Sequence, residues 1–77
     1  MNILVLDDEV EIADLVELFL KNEGYNVYKF YSAKEALKCI EETKLDLALL
    51  DVMLPDTDGL SILKNIRAKG YCFPVIM

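Results

Sequence analysis

Short apolar runs alternate with longer amphipathic segments along the whole chain, and this alternation most limits how it can fold. The runs 3–6 and 47–50 are apolar throughout and 73–77 is nearly so, as in parallel strands covered on both faces. The segment 25–31 is rich in aromatic and β-branched residues but contains Lys29, which suits a strand at or near an edge. The sequence therefore predicts four strands.

Two helices are predicted between the first three strands. From Glu9 to Gly24 apolar residues recur at helical spacing, and Lys21 near the end matches the helix dipole. Ser32 and Glu35 have the spacing of a capping box, which predicts the start of the second helix. The apolar stripe of the first helix comprises Ile12, Leu15, Val16, Phe19 and Leu20; that of the second comprises Ala33, Ala36, Leu37 and Ile40.

A third helix is predicted from an N-cap at Asp58 to Gly70, which completes the order βαβαβαβ. Strands that alternate with helices of this length require right-handed crossovers, so the sheet is predicted to be parallel with helices on its faces. The expected fold class is therefore α/β, a doubly wound parallel sheet.

Composition narrows the range of functions. With 77 residues the chain can form at most one small domain, and no apolar run approaches the roughly 18 residues of a membrane span. The N-terminus has no signal-peptide pattern, so a cytoplasmic protein without membrane contact is expected. The net charge of −6 argues against direct nucleic-acid binding. Without histidine, and with Cys39 and Cys72 far apart, a zinc site or disulfide is not expected.

Two strands that look buried end on carboxylates. Asp7 and Asp8 follow the first strand, and Asp51 ends the third. Ligands of open parallel sheets bind at the carboxyl ends of the strands where the strand order reverses, so these side chains could converge in one crevice. Such a cluster favours a hard divalent cation, Mg²⁺ or Mn²⁺, and a carboxylate beside it could attack a phosphoryl group.

Simpler interpretations of these carboxylates remain open. Asp7 or Asp8 could cap the first helix, although capping explains neither two successive acids nor Asp51. The segment 55–59, PDTDG, suggests a calcium loop, but the EF-hand pattern requires a later glycine and a distant glutamate. It is better interpreted as a turn followed by a helix cap.

Several motifs together resemble a known family. LVLDDE, the strand that ends at Asp51, MLPDTDG and the helix–strand spacing closely resemble the receiver domain of bacterial two-component response regulators. The resemblance covers the whole chain and is strongest to the branch with winged-helix output domains, which includes the vancomycin-resistance regulators. It implies a flavodoxin-like fold with strand order 2-1-3-4, and identifies 1–77 as a partial receiver domain, truncated after the fourth strand.

The resemblance also implies a role for each motif residue. Asp51 would be the phosphoacceptor, Asp8 a direct Mg²⁺ ligand, and Asp7 the second acidic residue, acting through a water. The backbone carbonyl of Met53 would be a further ligand, and Pro55 and Gly59 would be loop residues of the family. The phosphoryl donor would be a sensor histidine kinase, and DNA would be bound only through an output domain absent from this chain.

Some features of the family are not found. Its Ser or Thr after the fourth strand and its Lys after the fifth would lie beyond Met77, and the three basic residues of the third helix, Lys64, Arg67 and Lys69, cannot replace them. We therefore also consider a signalling-incompetent chain that self-associates through its open sheet edge. An aspartate-nucleophile phosphatase is a third hypothesis, but its general acid would have to be Met53, which has no proton to donate.

Overall fold

The computed structural model describes residues 1–77 and contains the seven predicted elements in the predicted order. They are β1 Asn2–Leu6, α1 Val10–Asn22, β2 Asn26–Phe30, α2 Ala33–Glu42, β3 Leu47–Leu50, α3 Gly59–Ala68 and β4 Val75–Ile76. All strand pairs are parallel, in the order β2-β1-β3-β4. Both the α/β class and the order 2-1-3-4 are thereby confirmed.

The pairing of β1 with β3 positions the predicted carboxylates. Leu6 and Leu50, the last residues of the two strands, are register partners. The ladder continues one residue further, since the Asp51 amide donates to the Leu6 carbonyl at 2.9 Å. Asp7 and Asp51 therefore leave the sheet side by side at its carboxyl edge.

One face of the sheet forms a closed core with α2 and α3. Successive side chains of a strand point to opposite faces, so Leu4 and Leu6 of β1 share this face with Ala48 and Leu50 of β3. All four side chains are buried. They form one cluster with these buried residues from α2, the following loop and α3: Ala33, Ala36, Ile40, Leu45, Ile62 and Ile66.

The opposite face is covered only in part, by α1. This helix packs on β1 and β2, where Lys29 forms ion pairs with Asp14 at 2.6 Å and Glu17 at 3.0 Å. The two carboxylates lie on one flank of the helix, so its other flank is turned away from β2. Leu15 and Phe19 on that flank are 64% and 68% exposed.

The apolar stripe of α1 is therefore buried only in part. Val16 and Leu20 are half-buried, whereas Ile12 is exposed like Leu15 and Phe19. The cause is the position of the helix over β1 and β2, since no element of the described chain covers the same face over β3 and β4. Apolar surface on α1 and β4 therefore remains in contact with water.

The helix starts differ in how closely they follow the sequence prediction. The Asp58 cap is confirmed, because its Oδ1 accepts from the Ser61 amide at 2.7 Å. Ser32 is the N-cap of α2 as predicted, but its hydroxyl donates to Glu35 at 3.4 Å and caps no amide. The predicted capping box is therefore not formed.

None of the three helices combines the length and the apolar character that a membrane span requires.

We expect the 77-residue chain either to associate or to be partly unfolded, with less association as the chain is diluted. A few hundred Å² of wet apolar surface corresponds to several kcal/mol at about 25 cal/mol per Å². Sedimentation over a concentration series, with circular dichroism on the same samples, measures this. Phe19→Asp should reduce association and Leu60→Asp, an exposed position on α3, should not. A monomer that unfolds cooperatively at every concentration would contradict the expectation.

Candidate functional site

Three carboxylates converge at the carboxyl edge of the sheet. Asp7 and Asp8 follow β1 and Asp51 follows β3, and one carboxylate oxygen from each lies within 4.8 Å of the others. Asp7 and Asp51 are half-buried and Asp8 is exposed. The convergence expected from the strand ends is therefore present in the structure.

Hydrogen bonds occupy only part of this cluster. Asp7 Oδ1 accepts from the Glu9 amide at 2.9 Å, and Asp51 Oδ1 accepts from the Met53 amide at 3.3 Å. No lysine or arginine forms an ion pair with any of the three carboxylates. Most of the oxygens are thus free, and no side-chain cation balances the charge.

Helix capping explains little of the arrangement. Asp7 stabilises the turn before α1 through Glu9, but Glu9 is itself the N-cap residue, and no side chain caps the helix. Asp8 accepts no hydrogen bond, and Asp51 precedes a loop rather than a helix. The simpler interpretation therefore accounts for one oxygen of Asp7 only.

The donor set suits a hard divalent cation. Carboxylate oxygens, a neighbouring main-chain carbonyl and water are the ligands that Mg²⁺ prefers, and sulfur or imidazole ligands are lacking here. The Met53 main chain lies beside Asp51, as the hydrogen bond from the Met53 amide to Asp51 Oδ1 shows. The Met53 side chain is 79% exposed. Only the Met53 main chain is thus placed to take part in such a site.

The loop between β3 and α3 is tied by its own backbone. The Leu54 amide donates to the Thr57 carbonyl at 3.1 Å, and Met53 bridges to Asp58 in antiparallel fashion. Gly59 closes the loop by donating to the Val52 carbonyl at 2.7 Å. The loop beside Asp51 therefore has a defined path.

Gly59 lies too close to the backbone at the end of β3 to carry a side chain. A Cβ at this position would lie 2.6 Å from the Asp51 carbonyl oxygen and 2.7 Å from Met77 Cε. From the sequence, Gly59 was identified only through the family resemblance, as a loop residue. Its structural reason is the close approach of the start of α3 to the Asp51 backbone.

Asp56 was overlooked as a residue of the site region. The sequence suggested only a turn residue within 55–59, but its Oδ1 accepts from the Ala33 amide at 3.3 Å, at the start of α2. The two residues are 23 positions apart, and no periodicity records such a contact. The only available signal in the sequence was that this turn contains an acidic residue in addition to the helix cap Asp58.

Comparisons with known sequences agree with the predicted resemblance. Residues 3–77 match the family model described as the response regulator receiver domain. Regulatory protein VanR of Enterococcus faecium is 61% identical over 75 residues, which cover 97% of this chain and 32% of VanR. VanRc of Enterococcus gallinarum is 56% identical with the same coverage. The chain thus spans about a third of the length of these curated relatives.

Solved structures have the same fold. The receiver domain of the Francisella response regulator 1452 superposes with a TM-score of 0.91 at 32% identity, covering 96% of this chain and 61% of that one. Response regulator TrrA of Thermotoga maritima, solved in complex with Mg²⁺-BeF, gives 0.84 at 38% identity, covering 90% and 60%. These matches confirm the expected flavodoxin-like arrangement.

Gly59→Ala should lower the free energy of unfolding by about 1–3 kcal/mol, the usual cost of overpacking. Helix propensity alone predicts the opposite, a gain of up to about 1 kcal/mol. Urea unfolding at a fixed protein concentration measures the difference, with Ser61→Ala in the same turn as control. A stabilised Gly59→Ala variant would show that the backbone approach is not limiting.

Proposed function

Because the chain belongs to the response regulator receiver domain family, we propose that Asp51 is the acceptor of a phosphoryl group. The observation that carries the proposal is the convergence of Asp51 with Asp7 and Asp8 at the carboxyl edge of the sheet. Receiver domains of two-component systems work with a histidine kinase, which we propose as the donor.

We propose Mg²⁺ as the cofactor, with Mn²⁺ as a substitute of similar ligand preference. Asp8 would bind directly, Asp7 through a water, and Asp51 and the Met53 carbonyl would complete the protein ligands. Support comes from the free carboxylate oxygens of the cluster and from TrrA, whose structure contains Mg²⁺-BeF. When bound, the cation would balance the carboxylate charge and stabilise negative charge on the transferred group.

The transfer itself would be a displacement at phosphorus. An Asp51 oxygen attacks the phosphorus of the kinase phosphohistidine, a P–O bond forms, and the P–N bond breaks. The electron pair of that bond stays on the imidazole, which takes up a proton. The Met53 amide engages Asp51 Oδ1 and so leaves Oδ2 as the oxygen free to attack. The product is an aspartyl phosphate.

We infer that the chain is a substrate of its kinase and assists only its own phosphorylation. A phosphatase with an aspartate nucleophile would need a proton donor two positions after Asp51, and Met53 cannot supply one. No specific contact in the structure favours that alternative.

For the whole protein we propose a transcriptional regulator that acts in the cytoplasm. The chain spans about a third of VanR, which is named a regulatory protein, so a winged-helix output domain that binds DNA fits the remaining length. Self-association through the outer edge of β4 is a further proposal, supported by the exposed Ile76 on this strand.

Asp8→Ala should weaken Mn²⁺ binding by about tenfold or more, since even indirect partners of a metal ligand cost about 10–100-fold. Glu11→Ala removes the same charge in the first turn of α1, outside the carboxylate group, and should change the affinity little. Water-proton relaxation during Mn²⁺ titration gives both constants. Equal Mn²⁺ affinities for the two variants would contradict the proposed metal site.

Asp51 should be labelled by a small acyl phosphate, and the label should be lost in base, as expected for an acyl phosphate. Asp51→Asn should remain unlabelled and Asp46→Asn should label as the wild type. In the 77-residue chain labelling should be slow, because no cationic side chain pairs with Asp51 to oppose developing charge. Intact mass measures it; full labelling of Asp51→Asn would exclude this residue as the acceptor.

A further inference from the structure

The loop beside Asp51 is attached to α2 by a single hydrogen bond. Asp56 Oδ1 accepts from the Ala33 amide at 3.3 Å in a partly buried position. No other hydrogen bond joins the loop 51–58 to this helix. Asp56 is therefore the polar link between the loop and the second helix.

The start of α2 depends on this carboxylate because it has no side-chain cap of its own. Ser32 occupies the N-cap position, but its hydroxyl is directed to Glu35. The first amides of a helix need acceptors, and a carboxylate there also interacts favourably with the helix dipole. Asp56 supplies that acceptor from a different part of the chain.

The α2 end of the link is rigid. Ala33 is 3% exposed and belongs to the same buried cluster as Leu6 and Leu50, the residues that precede the site carboxylates in the chain. Its amide is thus fixed relative to the carboxyl ends of β1 and β3. A hydrogen bond to Ala33 therefore fixes the position of the loop relative to the strand ends that precede Asp7 and Asp51.

The other end of the link is close to the proposed metal ligands. Asp56 lies within the turn that is closed by the hydrogen bond between Leu54 and Thr57. This turn begins directly after Met53. The Met53 amide in turn bonds Asp51 Oδ1. Asp56 itself is outside the carboxylate group, so it is not one of the proposed ligands.

We propose that Asp56 is a positioning residue, which holds the Met53 carbonyl in place for metal binding by attaching its loop to the first turn of α2. This inference rests on the proposed function. Because coupling between two equilibria is reciprocal, metal binding strengthens the Asp56–Ala33 bond by the same factor by which the bond strengthens metal binding. Occupation of the site is thereby transmitted to α2.

Three variants separate this role from charge and from stability. Asp56→Ala removes the acceptor and the charge, whereas Asp56→Asn removes the charge and keeps an oxygen that can cap α2. Asp46→Ala is the matched control, because Asp46 also accepts a backbone amide, that of Asn2 at 2.7 Å, at the opposite end of β3.

The readouts are the Mn²⁺ affinity and the hydrogen exchange of the Ala33 amide with and without Mg²⁺. Asp56→Ala should bind Mn²⁺ about three- to tenfold more weakly than wild type, somewhat less than the loss typical when a ligand's direct partner is removed. Asp56→Asn should stay within about twofold, as should Asp46→Ala. Mg²⁺ should slow Ala33 exchange in the wild type and in Asp56→Asn, and leave it unchanged in Asp56→Ala.

The outcomes distinguish the two proposals. If the wild type binds no metal, or if Asp8→Ala binds as well as the wild type, the proposed function fails. If the wild type and Asp8→Ala behave as expected but Asp56→Ala binds normally, the positioning role is overturned. Equal losses in Asp56→Ala and Asp46→Ala, or an Ala33 exchange rate that is indifferent to Mg²⁺ in the wild type, would overturn it as well.

Discussion

The parallel pairing of β1 with β3 is the interaction on which the site depends. Leu6 and Leu50 are register partners, so the residues that follow them emerge together at the carboxyl edge. A shift of one residue in this register would move Asp51 relative to Asp7 and turn the side chains of β3 to the opposite face. The buried leucines exclude that shift, and a packing requirement therefore sets the geometry of a polar site.

Burial is also what holds the carboxylates together against their mutual repulsion. Two like charges about 4 Å apart repel by about 1 kcal/mol in water and about 4 kcal/mol near a protein surface. Burying one Leu or Ile side chain contributes about 1.5–3 kcal/mol, and the cluster beneath the site contains ten buried apolar residues. The fold therefore tolerates a cluster that repels itself, and the remaining repulsion favours binding of a cation there.

Sequence reasoning predicted the parts of this structure that local patterns record. Apolar runs that end on Asp7 and Asp51 predicted both the strands and the edge at which the carboxylates meet. Periodicity shows which residues share a face of α1 but not what lies opposite, so the exposure of Leu15 and Phe19 was not predicted residue by residue. The capping motif at Ser32 predicted the start of α2 but not its hydrogen bonds, because the Ser32 hydroxyl donates to Glu35 and the Ala33 amide is bonded by Asp56 from a distant loop.

The two faces of the sheet contribute unequally to the site. On the α2 and α3 face, the buried cluster, the Asp58 cap and the Asp56 bond fix the loop that follows Asp51. On the other face α1 is held mainly at β2, and its apolar flank remains in water. A change at the carboxylates therefore meets a packed structure on one side and a weakly covered one on the other. The α2 side is therefore the side on which the structure offers packed contacts and a hydrogen bond that could carry the proposed coupling.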